Sequence, residues 1–448
     1  MFIMSKKTKI LLSAAALLLL AAFYVITLKT APKNASYFPF LLLLIGLDLF
    51  LWKSIHPLLR KTAVYFRIPF TILYWSPFLI LILSQLSALF LEAGDTSSPF
   101  LIYLMGFVFV MYACKLIPAL ILLLTVILRH LLITGRRLFS RKSDSSARGL
   151  KSLRMVQYAG YGFGMILLVF LVLGMVVWGY NYQVIEQKLE LSDLPEGFQG
   201  LRIVQISDLH LGTWPSVKKL EQVVNTVNSL DPDLILFTGD LVNSVTGEAI
   251  PYEGTLSQFS APLGIFAVLG NHDYGDYASW DTPEAKEKNM TELYSYFDRI
   301  GWRLLCNRHE IVHLNGDSLA IAGVDNWSVY DRFETRGDLR QATTGLDDTR
   351  MIILLTHDPT HWEEEVIRDF PQIDLTLSGH THGFQFGIET NRFQWSPVQW
   401  LYGKWAGIYE FVHADGRKQY LYVNRGLGAI GYPGRVGIKP EITLLVLE

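Results

Sequence analysis

Residues 201–210 read LRIVQISDLH, a short apolar run from Leu201 to Ile206 followed at once by Ser207, Asp208 and His210. A run of β-branched and apolar residues of this length predicts a buried strand. The same arrangement recurs four times further along the chain. The other runs occupy residues 233–238, 264–269, 351–356 and 374–377, and each precedes a polar cluster. These five units predict a soluble domain that begins near Leu201.

Helical patterns separate some of these strands. Residues 217–230 place Leu220, Val223, Val224 and Val227 at helical spacing, which predicts the class α/β. In such sheets the binding site forms beyond the carboxyl ends of the strands. All five polar clusters follow the carboxyl end of a strand, so we expect them to meet at one edge.

The clusters offer imidazole, carboxylate and amide ligands without a thiolate. The candidate ligands are Asp208, His210, Asp240, Asn271, His357, His380 and His382. Imidazole suits Zn or Fe, and carboxylate suits Mn or Mg. One carboxylate can bridge two ions, and ions about 3.5–4 Å apart can generate a hydroxide and hold an in-line phosphoryl displacement. Glycines precede Asp240, Asn271 and His380, where we expect the backbone to bend sharply.

In order, these motifs resemble the signature of the calcineurin-like metallophosphoesterases. They are Asp208-x-His210, Gly239-Asp240, Gly270-Asn271-His272-Asp273, His357 and Gly379-His380-Thr381-His382. The resemblance covers residues 201–448. With apolar helices in front, the whole chain is similar to transmembrane proteins with a metallophosphoesterase domain, and its soluble part to bacterial membrane-associated phosphodiesterases. This implies a two-layer β-sandwich flanked by helices.

The resemblance also implies roles for these side chains. One divalent ion would be held by Asp208, His210 and His382, a second by Asn271, His357 and His380, and Asp240 would bridge the two. The ions would be Mn, Fe, Zn or Mg. His272 would bind the phosphate and protonate the leaving oxygen, while Asp273 would orient its ring. An Asp beside a His favours the imidazolium form and fixes the tautomer, which supports this last role.

Three further features accompany the motifs. Many relatives have two glycines where this chain has Gly383 and Phe384, so a reshaped substrate pocket is expected. The aromatic segment Phe393–Tyr409 predicts contact with the bilayer or a lipid substrate, with ordinary core packing as the alternative. Arg425 follows a predicted strand, Tyr420–Val423, and is either a phosphate-binding residue or part of a structural turn.

The first 180 residues consist largely of apolar runs. A spanning helix needs about 20 such residues, and the five candidates are Ile10–Leu28, Tyr37–Trp52, Ile68–Phe90, Phe100–Leu128 and Met155–Tyr180. Asp48 and Lys115 lie inside two of them and either pair across helices or lie separately at helix surfaces. The expected organisation is a membrane domain at 1–180, a linker at 181–200 and a catalytic domain at 201–448.

Charge placement predicts the orientation. Eight basic residues precede the fifth span: Arg129, Arg136, Arg137, Arg141, Lys142, Arg148, Lys151 and Arg154. Residues 181–197, after that span, hold one lysine against four acids. Because basic loops stay on the cytoplasmic side, we expect a cytoplasmic N-terminus and an extracytoplasmic catalytic domain, in the plasma (inner) membrane.

These observations predict a membrane-anchored phosphoesterase that cleaves phosphodiesters or phosphomonoesters, with a lipid-linked or envelope substrate. One alternative is a UDP-diacylglucosamine-type pyrophosphate hydrolase, whose cytoplasmic substrate conflicts with the expected orientation. Another is a non-catalytic membrane sensor or scaffold. The net charge of -2 argues against nucleic-acid binding, and the two cysteines, Cys114 and Cys306, predict no disulfide. The sequence leaves the oligomeric state open.

Overall fold

The computed structural model describes residues 24–25, 28–29, 37–90, 99–139, 145–346, 349–390 and 392–448. Contacts divide these residues into two compact units. The first holds the described residues up to 90 and those at 104–169, and the second holds 99–103 and everything from Phe170 onward. The boundary near 170 lies inside the fifth predicted span.

Long apolar helices form the first unit. Within the described residues, four helices are long and apolar enough to cross a membrane. They are α1 Phe38–Leu59, α2 Val64–Phe90, α3 Pro99–Phe139 and α4 Ser145–Leu173, which continues into a π-helical turn at Gly174–Trp178. They correspond to the second to fifth predicted spans, so the short, Asp48-containing candidate is a helix of full spanning length. Most of the first candidate, Ile10–Leu28, lies outside the described residues.

A buried ion pair connects α1 to α3. Lys115 Nζ lies 2.7 Å from Asp48 Oδ1, and both residues are buried. The hydroxyl of Tyr112 donates to Asp48 Oδ2 (2.9 Å), and Lys115 Nζ also donates to the carbonyl of Tyr74 on α2 (2.7 Å). The pairing hypothesis is therefore confirmed, and the pair links three helices.

Two six-stranded sheets and a hairpin form the frame of the second unit. The first sheet has the order β1-β14-β2-β3-β4-β5, with β1 Gln183–Leu189, β2 Arg202–Ile206, β3 Leu234–Phe237, β4 Ile265–Ala267, β5 Arg303–Leu304 and β14 Glu441–Leu447. The second has the order β12-β13-β9-β8-β7-β6, with β6 Arg308–Leu314, β7 Asp317–Gly323, β8 Ile352–Leu355, β9 Leu375–Ser378, β12 Gly407–Val412 and β13 Lys418–Val423. The hairpin pairs β10 Ile388–Thr390 with β11 Phe393–Trp395.

The two sheets pack face to face, and helices cover their outer sides. Successive residues of β2 show this layering, because Ile203 enters the core between the sheets and Val204 enters the core beneath the helices. The helices of this unit are α5 Val217–Ser229, α6 Glu253–Leu256, α7 Pro283–Ile300, α8 Leu339–Thr343 and α9 Ile367–Asp369. The fold is thus the expected two-layer sandwich flanked by helices. All six predicted strands are present, with Tyr420–Val423 inside β13.

The segment 181–200, expected as a linker, contains a strand. β1 pairs in parallel with the C-terminal strand β14, in the register Gln183 opposite Glu441. Its exposed and half-buried residues alternate because it lies at the edge of the sheet. The first layer therefore begins within a few residues of the end of α4.

Candidate metal centre

The candidate ligands lie just beyond the carboxyl ends of five strands. Asp208 and His210 follow β2, Asp240 follows β3, and Asn271 follows β4, three strands that are parallel neighbours in the first sheet. His357 follows β8, and both His380 and His382 follow β9, its parallel neighbour in the second sheet. The sandwich therefore brings the five clusters together at one end of its two layers.

The side chains converge into two groups that share one carboxylate. In each group the possible ligand atoms all lie within 4.8 Å of one another, and the groups are Asp208, His210, Asp240 and His382, and Asp240, His357 and His380. In the first group His382 Nε2 lies 3.1 Å from Asp208 Oδ1. In the second, His357 Nε2 lies 3.1 Å from Asp240 Oδ2. Asp240 belongs to both groups, which is the arrangement that a bridging carboxylate requires.

Several ligand atoms are buried without a hydrogen-bond partner. His357 donates from Nδ1 to the carbonyl oxygen of Thr238 (2.7 Å), so its Nε2 faces the Asp240 carboxylate and makes no well-formed hydrogen bond within the described residues. The amide nitrogen of Asn271 donates to the hydroxyl of Tyr277 (2.8 Å), and its Oδ1 is likewise unpartnered there. Buried polar atoms normally have partners. These two atoms, on two of the candidate ligands, therefore suit a cation.

The backbone at the ligands is strained. Five of the seven have a left-handed φ between 44° and 71°, namely Asp208, His210, Asp240, His380 and His382. Residues other than glycine rarely adopt this conformation, and it concentrates at functional sites where the surrounding fold enforces it. The strain supports a site held in shape for binding.

The glycines of the motifs mainly provide space. A Cβ atom built on Gly270 would lie 2.2 Å from Asp240 Oδ1, and one on Gly379 would lie 2.3 Å from Asp208 Oδ2. Gly239, in contrast, has a φ of +98° and forms the sharp bend that was expected at all three positions. Two of the three glycines therefore let a carboxylate approach the neighbouring backbone.

The charges favour ionised carboxylates. Burial raises the pKa of Asp208 and Asp240, but the neighbouring imidazoles of His382 and His357 outweigh it and hold both pKa values below the ordinary range. Burial also lowers the pKa of His380 to about 4. Although burial opposes it, Asp240 raises the pKa of His357 to about 10, so a cation at this point must displace a proton.

The ring of His272 is oriented by a backbone carbonyl. Its Nδ1 lies 2.6 Å from the carbonyl oxygen of Asn243, and the ring stacks on Tyr277 with centroids 4.1 Å apart. Asp273 does not fill the expected role beside the ring. Its carboxylate accepts from the backbone N–H groups of Asp240, Leu241, Val242 and Gly270. Asp273 therefore holds the loop that carries Asp240.

Arg425 lies in a buried ion-pair cluster. Its guanidinium pairs with Glu441 and, at 2.6 Å, with Glu389, and 4% of the residue is exposed. These contacts fit the structural alternative better than phosphate binding. A second guanidinium, that of Arg435, contacts a candidate ligand, with Nη2 3.3 Å from His382 Nδ1. The same Nη2 donates to the carbonyls of Gly426 (3.0 Å) and Gly428 (2.6 Å).

Comparison with known proteins agrees with this geometry. The family model of the calcineurin-like phosphoesterases matches residues 201–384. An uncharacterized metallophosphoesterase of Bacillus subtilis, YkuE, is 32% identical over 274 residues, which cover 59% of this chain and 84% of that protein. The chain belongs to this metallophosphoesterase family.

Two other relatives carry more specific names. A Danio rerio "transmembrane protein with metallophosphoesterase domain" is 31% identical, and the match covers 62% of this chain but only 60% of that protein's length. A protein of Chlamydia muridarum named UDP-2,3-diacylglucosamine pyrophosphatase LpxG is also 31% identical, over 56% of this chain and 87% of its own.

The metallophosphoesterase centre includes residues that the motifs do not indicate. The hydroxyl of Tyr402 lies 2.8 Å from His380 Nε2, which leaves Nδ1 of that ring for a metal. Asp358 Oδ2 lies 3.5 Å from the same Nε2 and accepts from the hydroxyl of Ser328 (2.6 Å). Tyr402 stands in the aromatic segment and Asp358 directly after His357, but neither position has a sequence signal for this contact.

Phe384 marks this chain's departure from the metallophosphoesterase pattern. It has a left-handed φ of 57°, a conformation natural for glycine, and yet its ring is 55% exposed. Phe384 is close in sequence to the candidate metal centre, because His382 precedes it by two residues. Phe384 therefore presents an exposed apolar side chain two residues along the chain from the candidate ligand His382.

Proposed function

We propose that this protein is a membrane-anchored, two-metal phosphoesterase that hydrolyses phosphodiester or phosphomonoester bonds in a lipid-linked substrate. The observation that carries the proposal is the pair of ligand groups that meet at Asp240, with His357 Nε2 directed at that carboxylate and Asn271 Oδ1 without a hydrogen-bond partner among the described residues. Divalent ions at such positions supply Lewis acidity and a water of lowered pKa.

The chain's own residues would bind and orient the phosphate. The Nδ1 of His272 faces the carbonyl of Asn243, so its proton stays on that side and Nε2 faces away from it. Burial lowers the pKa of His272, and Asp240 and the Asn243 carbonyl oppose this effect. A bound phosphate adds negative charge and raises the same pKa, which lets Nε2 donate a proton to the leaving oxygen.

The full-length protein in detergent, assayed on bis(p-nitrophenyl) phosphate with Mn, Fe, Zn or Mg, tests the proposal. Asp240→Asn should lower kcat/KM more than about 100-fold, because it weakens the ligand common to both groups. Asp374→Asn is the matched control, since this partly buried aspartate precedes β9, at the opposite end of the strand from His380. Absence of turnover with every metal, or full activity of Asp240→Asn, would refute the proposed phosphoesterase function. The alternative of a non-catalytic membrane sensor or scaffold would then remain.

We further propose that the catalytic unit lies outside the cytoplasm, in the plasma (inner) membrane. The support is the basic segment before the last span and the acidic segment after it. A reporter fused after Tyr180 distinguishes the two sides, and activity of a cytoplasm-dependent reporter would contradict this orientation.

A pyrophosphate hydrolase of a UDP-diacylglucosamine-type substrate is the second candidate. The LpxG relative favours it, since the match covers 87% of that protein. The same preparation supplied with UDP-2,3-diacylglucosamine decides between the two, if release of the nucleotide product is compared with cleavage of the aryl phosphodiester.

A further inference from the structure

One surface beside the metal centre exposes large apolar side chains. We call it the apolar rim, and it consists of Phe384, Phe386, Ile388, Phe393, Trp400 and Leu401. All six are exposed, and Trp400 is the most exposed at 74%. Soluble surfaces rarely collect such side chains in one place unless something covers them.

The hairpin directs its apolar face away from the body of the unit. Ile388 lies opposite Trp395, and Thr390 opposite Phe393, so these four share one face. Glu389 and Gln394 occupy the other face, and Glu389 pairs with the buried Arg425. The polar face of the hairpin therefore contacts the domain through Glu389, and its apolar face is exposed.

Backbone hydrogen bonds connect the rim, through residues 435 and 436, to the end of a membrane-spanning helix. Within the second unit, the carbonyl of Gly174 accepts from the backbone N–H of Arg435 (3.2 Å). The next residue, Val436, exchanges hydrogen bonds with Gln385 (2.8 Å) and Gly387 (2.9 Å), at the base of the hairpin. Gly174 belongs to the span that ends at Trp178. The segment at Arg435 and Val436 therefore lies between the base of the hairpin and the last turns of that span, bonded to both.

Charge around the rim suits a lipid surface. Residues 384–405 contain a single acid, Glu389, whose charge is paired, together with the bases Arg392 and Lys404. Basic residues beside exposed Trp and Phe are typical of segments at the headgroup boundary, where rings enter the acyl region and cations meet phosphate.

We propose that the apolar rim is a bilayer-contact surface that enters the headgroup boundary and admits lipid headgroups to the metal centre from the membrane plane. Two rim residues lie close in the chain to residues of the centre. Phe384 follows the ligand His382 by two residues, and Leu401 precedes Tyr402, whose hydroxyl contacts His380. The bilayer contact stands by itself, whereas the admission of headgroups rests on the proposed phosphoesterase function.

Depth measurement tests the contact without using catalysis. In a chain with Cys114→Ala and Cys306→Ala, a fluorophore is attached at Phe393→Cys or Trp400→Cys. The protein is placed in nanodiscs of phosphatidylethanolamine and phosphatidylglycerol containing nitroxide-labelled phosphatidylcholine. We expect quenching by nitroxides near the top of the acyl chain, since such surfaces enter about 5–10 Å.

The control site is Ile311, which is 39% exposed on the edge strand β6. β6 lies three strands, about 14 Å, from β9, the strand that leads into the rim. A label at Ile311→Cys should not be quenched. Discs with one protein each exclude a second copy as the cause. Equal quenching at rim and control, or no quenching at the rim, would overturn the bilayer contact.

Activity tests the admission of headgroups. The double variant Phe393→Ser, Trp400→Ser should lower, about tenfold, the ratio of turnover on nanodisc phospholipid to turnover on bis(p-nitrophenyl) phosphate. A ratio equal to that of the unaltered chain would refute this part. If neither substrate is cleaved by the unaltered chain, the proposed function fails, and the quenching result still decides the bilayer contact.

Discussion

At His380 the two ring nitrogens have different surroundings, and this determines how the residue acts. Nε2 faces the hydroxyl of Tyr402, so only Nδ1 is left for a cation. Partners of this kind fix the orientation of a metal-binding imidazole, and their loss usually costs about 10–100-fold in affinity. Tyr402→Phe should therefore weaken binding of one metal ion roughly tenfold, measured by competition with a chelator. Tyr330→Phe is the control, because its hydroxyl bonds the carbonyl of Leu401 instead. Equal affinity in both variants would contradict the role of Tyr402.

The clustering of the candidate ligands could be predicted from sequence because each follows a strand in a short motif. The partners that position them could not. Asn243 reaches His272 from 29 residues away, and Tyr402 reaches His380 from 22 residues away. Such contacts depend on how separate loops pack. The role expected for Asp273 illustrates the same limit, because sequence proximity to His272 did not bring its carboxylate to the ring.

At the scale of elements, the contact between the end of α4 and the loop 432–436 depends on glycine. A Cβ atom on Gly174 would lie 2.8 Å from the carbonyl oxygen of Arg435 and 2.8 Å from Val436 Cγ2. Gly174→Ala should therefore destabilise the protein by about 1–3 kcal/mol, seen as a lower Tm of the full chain in detergent. It should also weaken metal binding, because Arg435 contacts His382.

Gly162→Ala on the same helix is the matched control for this prediction. A Cβ atom there meets nothing within 4 Å. The change should be neutral or stabilise the helix by up to about 1 kcal/mol, since alanine is the better helix former. If both variants melt at the same temperature, the contact at Gly174 has no influence on stability.

The strands that carry ligands were predictable, whereas β1 was not. A run such as Ile203 to Ile206 is apolar except for Gln205, because it is buried on both faces. β1, with the sequence QVIEQKL, has no regular alternation of polar and apolar residues. Among the described residues it pairs only with the C-terminal strand, with Gln183 opposite Glu441. Pairing across such a separation leaves no local signal, so the segment reads as a linker.

At the scale of the whole molecule, the division into an apolar and a polar half could be predicted from composition. The structure places the division of the chain inside α4, because the last turns of this helix belong to the second unit. A chain that is 50% hydrophobic thus contains two environments, and burying a charged side chain has different consequences in each. In the membrane unit every buried charge needs a partner within the bundle.

The pair Asp48–Lys115 follows this rule and leads to a prediction for the membrane unit. Replacing one partner leaves the other charge buried and unpaired, which costs about 3–5 kcal/mol. Asp48→Asn and Lys115→Met should each destabilise the full chain by about that amount in SDS titrations of mixed micelles followed by circular dichroism. The double variant should lose clearly less than the sum of the two.

A neutral pair provides the comparison for this cycle. Gln157 donates to Thr125 Oγ1 (2.7 Å) in the same unit, and hydrogen bonds of this kind between membrane helices couple by about 0.6 kcal/mol. The coupling of Asp48 with Lys115 should exceed that of Gln157→Leu with Thr125→Val, because removing both charges also removes the cost of burying them. Strictly additive effects at Asp48 and Lys115 would show that the two charges are stabilised independently, through Tyr112 and the Tyr74 carbonyl, and that the pair itself does not hold the helices together.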